Sequence, residues 1–235
     1  MTVDEIMKEL ESKGSDSTKR ILLKHGILEP FFGAKVEDMK SIQKRVKKDY
    51  ALSKALYATG NTDAMYLSGL IADETAMSKK DLNEWVKLAQ SPNISEYTVP
   101  WIAAESKHGW DLALEWIDKE SEHIAAAGWA CLSSWVAIRP DNELDTDALK
   151  QLLKRVQNSI HQEKNRVRSA MNGFVIAVGT YVSPLHEAAL LAAKAMGPVT
   201  IIKEGTACKV PDAGIYILKA KEKGKIGAKK KMARC

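Results

Sequence analysis

Apolar residues recur along this chain at the 3.6-residue period of a helix. Leu149, Leu152, Leu153, Val156 and Ile160 fall at i, i+3, i+4, i+7 and i+11. Leu82, Trp85, Val86 and Ala89 repeat the spacing, as do Leu185, Ala188, Ala189, Ala192 and Met196. Each set forms one apolar stripe. Start and stop signals bracket these runs. Thr2 with Glu5 reads as a capping box, and Ser78 with Asp81 as its acidic variant. Ser91-Pro92 and Ser183-Pro184 place a capping oxygen before a φ-fixed first residue. Gly14, Gly60, Gly109 and Gly197 stand where helices stop.

The pattern predicts helices near 3–13, 17–25, 36–48, 50–60, 62–73, 79–90, 94–107, 110–119, 121–138, 146–161, 164–182, 184–196 and 212–222. One extended segment is predicted at Val199–Ile202, β-branched and preceded by Pro198. The apolar loop 26–35, with Ile27, Leu28, Phe31 and Phe32, should pack against the body. Ile124–Ile138 is apolar nearly all round, which suits an inner helix with neighbours on several sides. Short helices with short connections therefore predict an all-α fold, an α-α superhelix (solenoid) of helix pairs in a single domain, with an irregular bundle as the alternative.

Charge divides the chain unequally. The net charge is +5, yet residues 219–235 carry eight Lys and Arg against Glu222 alone, leaving 1–218 slightly acidic. The expectation is a helical domain over 1–218 and a basic C-terminal tail over 219–235. The tail suits a polyanion partner, or else serves as a solvated end. No apolar run reaches the roughly 18 residues of a membrane span, and the amphipathic start, Met1–Gly14, is not a signal peptide. A soluble, cytoplasmic protein without a membrane partner is expected.

The chemistry-bearing motifs are sparse. P-loop, dinucleotide-fingerprint, zincin, C-x-x-C and nucleophile-elbow patterns are missing, and the five histidines are scattered, so no metal or cofactor is expected. Cys131, Cys208 and Cys235 have no metal spacing, and Cys131 reads as a small buried hydrophobe. His123 and His161 read as surface or capping residues more readily than as acids or bases.

Two basic clusters in the body could hold phosphates. Lys40, Lys44, Arg45, Lys47 and Lys48 crowd one helix, and Lys164, Arg166 and Arg168 open another. In the second cluster 164 and 168 share a face while 166 is turned about 160° away. Cations at a helix start oppose the macrodipole, whereas the backbone N–H groups there attract anions. Trp110–Asp111, at a helix start, pairs an indole with a carboxylate, as a site for a cationic alkylated base requires. Its plainer reading is a helix entry stapled by Trp110 and charged by Asp111.

The runs PFFGAKVEDMKSIQKRVKKD (30–49) and LSKALYATGNTDAMYLSGLIAD (52–73) resemble the opening of the DNA alkylation repair family, whose members are HEAT-like repeat proteins. KNRVRSAMNGFVIAVGTYVSPL (164–185) and GTACKVPDAGIYI (205–217) resemble a subgroup with a lysine-rich end. The resemblance implies HEAT-like helix pairs, a cationic groove for duplex DNA and, in the best-known members, metal-free excision of alkylated purines. Those enzymes carry a Trp-Trp-Asp-x-x-Asp motif, which by helix order falls in SPNISEYTVPW (91–101). Asn93 and Tyr97 stand at its groove Trp and key Asp, Ala126 at a later Arg, and Phe174 at a later Trp.

Fold retained with site lost implies a DNA-binding protein of this family with weak or no base excision. Its expected partner is duplex DNA, damaged or distorted, held by Lys44, Arg45, Lys48, Lys164, Arg166, Arg168, Lys229, Lys230 and Lys231. Two alternatives stay open. One is an active alkylpurine glycosylase using Glu96, Tyr97, Trp101 or Trp110–Asp111. The other is a scaffold whose curved surface holds a protein partner.

Overall fold

A computed structural model describes residues 1–202 and 210–234. Thirteen α-helices occur among them. They are α1 (Val3–Lys13), α2 (Asp16–Lys24), α3 (Val36–Val46), α4 (Tyr50–Tyr57), α5 (Thr62–Ile71), α6 (Lys79–Leu88) and α7 (Val99–Glu105). Then follow α8 (Gly109–Ile117), α9 (Glu122–Ile138), α10 (Thr146–Ser159), α11 (Asn165–Tyr181), α12 (His186–Met196) and α13 (Ala213–Glu222). No strand occurs among the described residues. The fold is an α-α superhelix of HEAT-like helix pairs, with α4 on α5, α8 on α9 and α11 on α12.

The apolar stripes account for the layering. α9 packs against α7, α8 and α11, as its all-round apolar surface requires; Ala126, Trp129, Cys131 and Leu132 are wholly buried. A smaller core joins α1, α3, α4 and α5 through Ile6, Leu10, Ile42, Leu56 and Leu67. Both capping boxes form. The loop 26–35 packs through Ile27 and Phe31, which are buried, with Phe32 half-buried, whereas Leu28 stays exposed, contrary to expectation. The Asp63 carboxylate at the start of α5 pins it by accepting the N–H groups of Phe32, Gly33 and Ala34 at 2.8, 2.9 and 3.2 Å.

Four local expectations are corrected. Val199–Ile202 forms no strand; instead the Asn165 amide holds Ile202, accepting its N–H at 2.7 Å and donating to its carbonyl at 2.6 Å. Gly109 begins α8 instead of ending a helix, and glycine is required there by close packing, since a Cβ would meet the Ala103 carbonyl at 2.5 Å. Ser91 Oγ accepts the Leu28 N–H at 3.1 Å, tying the packed loop down. The predicted helix 94–107 is not uniform: Ile94–Thr98 winds as a π-turn before α7.

The segment after α13 is docked onto the body and is not a free solvated end. Gly227 N–H donates to the Thr180 carbonyl at 2.8 Å and Lys230 N–H to the Ala137 carbonyl at 2.8 Å. Cys208 and Cys235 lie outside the described residues. No single helix among the described residues is long and apolar enough to cross a membrane.

Candidate nucleic-acid interface

The π-turn organises the centre of the recessed face. Pro100 lacks an N–H and its ring would crowd the carbonyl four residues back. Wider winding relieves this, and such turns recur at functional sites. The turn presents Glu96 and Tyr97 towards α9 and α11. There a recess of about 330 Å³ opens, because the facing residues Ser133, Ser134, Ser169, Ala170 and Gly173 are small. Tyr97 is 52% exposed. It stands edge-on to Trp101 at 5.8 Å, and Trp101 in turn to Tyr66 at 5.7 Å. On the far side of Tyr97 a second hollow of about 410 Å³ reaches Ile27 and Ile202.

The charges in the centre are spent on one another. Arg166 Nε donates to Glu96 at 2.7 Å, its Nη1 to the Gln90 carbonyl at 3.1 Å and its Nη2 to Ser95 Oγ. The first turn of α11 is also occupied, since the Glu122 carboxylate accepts the Arg166 N–H at 2.7 Å. Lys164 donates to the Glu120 carbonyl. Arg168 is half-buried and lines neither hollow, and its Nε has no hydrogen-bond partner. The anion site expected at this helix start is therefore filled by the protein's own side chains, and the three cations are not brought together.

Beneath Arg166, Gln90 Nε2 lies 3.3 Å from His123 Nε2. That imidazole also meets the Lys87 carbonyl at 3.3 Å and Ser121 Oγ at 3.0 Å. Burial lowers its pKa below the ordinary histidine value, so the ring is a neutral spacer. His161 bonds the Met196 carbonyl at 2.7 Å. Among the described residues, no three His, Cys, Asp or Glu side chains converge on a metal position.

A larger recess of about 740 Å³ lies between the end of α3, the end of α9 and the docked tail. Six cations (Lys44, Lys47, Lys48, Arg139, Lys231 and Arg234) line it against Glu74, Glu105 and Glu143. Lys47 ends α3 with φ 65°, uncommon for a residue with a Cβ, and this reversal turns 47 and 48 towards the recess. Lys44, Lys47 and Lys231 are exposed, and among the described residues none has an ion pair. Lys48 pairs with Glu74 at 2.5 Å. The Arg139 guanidinium lies over the Trp135 ring at 4.3 Å. Arg45, in the same predicted cluster, instead pairs with Glu9 of α1.

The tail lysines are divided. Lys229 donates to the Val136 carbonyl at 2.9 Å and pairs with Asp141 at 2.8 Å. Lys230 is exposed over the Tyr181 ring and edges the central recess, while Lys231 edges the cationic one. Trp110 is half-buried, tilted against Trp135 at 6.4 Å. Asp111 pairs with Lys79 at 3.3 Å, and neither residue lines a recess described above. Ala126 and Phe174 are wholly buried, the latter against Trp129 at 5.2 Å. The sequence reading did not single out Arg139 or Arg234; only the fold brings them to this face.

These features define a helical-repeat protein with a cationic recess on one face. Residues 6–208 match the family described as DNA alkylation repair enzyme, and the chain belongs to that family. An uncharacterised protein of Listeria monocytogenes is 32% identical over 231 residues, covering 96% of this chain and 100% of the relative. One of Listeria innocua is 32% identical over 229 residues, covering 95% and 99%. A solved structure superposes with a TM-score of 0.93 at 36% identity over 100% of both chains. It belongs to a family of proteins related to the HEAT-like repeat DNA glycosylases with affinity for branched DNA structures.

Proposed function

We propose that this protein binds branched DNA through the cationic recess and does not excise bases. The observation that carries the reading is the group of exposed Lys44, Lys47 and Lys231, without an ion pair among the described residues, beside Arg139. Such cations hold phosphates by releasing condensed counterions. The affinity of the structural relative for branched DNA supports the choice of substrate. Excision calls for a carboxylate able to stabilise a cationic sugar or position water. In the central recess Glu96 is held by Arg166 at 2.7 Å, and a tyrosine stands where the resemblance places the key Asp. Tyr97 offers an aromatic face on which an unpaired base at a branch point can stack.

The reading is tested by fluorescence anisotropy with a four-way junction and a duplex of equal length at two salt concentrations. Methylated-purine release from alkylated DNA is measured in parallel. Tighter junction binding that weakens steeply with salt, without base release, is expected. Equal affinity for both DNAs, or steady release of methylated purine, would refute it.

A further inference from the structure

Helical-repeat proteins contact mainly their neighbours along the stack. The segment after α13 breaks that rule. From Gly227 at α11 it runs past the end of α9 to Arg234, which meets Glu105 129 residues earlier and Ala72 162 residues earlier. Arg234 is 7% exposed, and its donors are taken up on the body. Nε donates to Glu105 at 2.8 Å, and Nη2 donates to both Glu105 and Glu74. Nη1 faces the carbonyls of Gly69, Leu70 and Ala72 at 3.4, 3.3 and 3.0 Å. Those carbonyls lie at the C-terminal end of α5, where the helix dipole also favours a cation. Glu105 additionally accepts the N–H groups of Ala233 and Arg234 at 2.7 and 3.1 Å.

We infer that residues 225–234 form a fixed strap across the DNA-facing side, pinned by Arg234, and that the strap presents Lys230 and Lys231 to nucleic acid. Arg234 is thus a positioning residue: it touches no phosphate, yet DNA affinity depends on it. It acts in two ways. It holds Lys230 at the edge of the central recess and Lys231 at the edge of the cationic recess. It also neutralises Glu105 and shares Glu74 with Lys48, so that neither carboxylate bordering the cationic recess opposes a phosphate. The strap is the wall between the two recesses, so its lysines meet DNA where a branch point would lie. This inference rests on the DNA-binding reading above.

The test compares three full-length proteins: wild type, Arg234→Gln, and the double variant Lys230→Gln with Lys231→Gln. Amide hydrogen exchange at Gly227 and Lys230 reports docking of the strap; junction affinity across a salt series reports phosphate contacts. R234Q is expected to speed exchange at both amides, weaken junction binding roughly tenfold and lower the salt slope by about two, one unit for each lost phosphate contact. The double lysine variant, which leaves every buried partner in place, is expected to reproduce the slope change while exchange stays slow. Freed amides in R234Q with unchanged affinity and slope would overturn the inference, as would unchanged exchange in R234Q or an unchanged slope in the lysine variant. Absence of any DNA binding by wild type would instead sink the DNA reading itself, and the role of the strap with it.

Discussion

The two recesses on this face differ in what their charges are doing. In the central one, Arg166, Glu96, Ser95 and Gln90 satisfy one another, and Glu122 caps the helix start that could have held an anion. In the cationic one, Lys44, Lys47 and Lys231 are exposed and have no ion pair among the described residues, while Arg139 rests on an indole and reaches Glu143 at 4.0 Å. The first lies where family resemblance directs attention, and the second is signalled in the sequence only by the basic cluster at 40–48 and the lysines of the tail. A recess whose polar groups are already paired has little left for a ligand beyond shape and stacking. A recess in which six cations outnumber three carboxylates keeps a positive excess that favours an anionic occupant.

That contrast is open to direct attack. The largest effect is expected from replacing Lys44, Lys47 and Lys48 together with Gln. Junction affinity should fall on the order of 100-fold, with the salt slope lowered by about two, one unit each for Lys44 and Lys47. Retention of wild-type affinity and slope would move the binding surface elsewhere. Next comes Tyr97→Ala, which should weaken junction binding about tenfold and duplex binding much less, since stacking on an aromatic ring contributes ~1–3 kcal/mol per base. An equal loss on both DNAs would exclude stacking at a branch.

Arg166→Met should sharpen the contrast from the other side. It removes the Arg166 ion pair from Glu96, whose side chain is only 22% exposed, and should cost about 2 kcal/mol of stability by chemical denaturation. Junction affinity should stay within about threefold; a tenfold loss would make Arg166 a phosphate ligand after all.

The smallest effect concerns His123, whose folded-state pKa burial depresses below the ordinary value near 6.5. As pH falls through that value the unfolded chain takes up a proton that the folded chain refuses. Stability therefore declines from there down to the folded pKa. His123→Gln should flatten the decline in urea melts between pH 7 and pH 5, and an unchanged slope would assign it to other groups.

Much of the architecture was legible from local pattern. The capping boxes at Thr2 and Ser78, the stripe of α10 and the all-round apolar surface of α9 each express an interaction within a few residues, or a burial demand that composition reveals. The site was less legible because its partners are remote. Arg166 finds Glu96 70 residues earlier, so a cluster that reads as free cations in sequence is divided by the fold. Arg234 finds its carboxylates 129 and 160 residues earlier, and a lysine-rich tail gives no sign that its arginine is buried. Pro100 did carry a signal: a proline inside a helical run demands a break or a rewinding, and the π-turn at Ile94–Thr98 supplies it.

Lysine acetylation footprinting with and without a saturating four-way junction, read by mass spectrometry, tests the central account most directly. Lys44, Lys47 and Lys231 should be protected by DNA, while Lys79 and Lys80, which line none of the three recesses, should label equally in both samples. Protection of Lys79 and Lys80 with continued labelling of Lys44, Lys47 and Lys231 would contradict it.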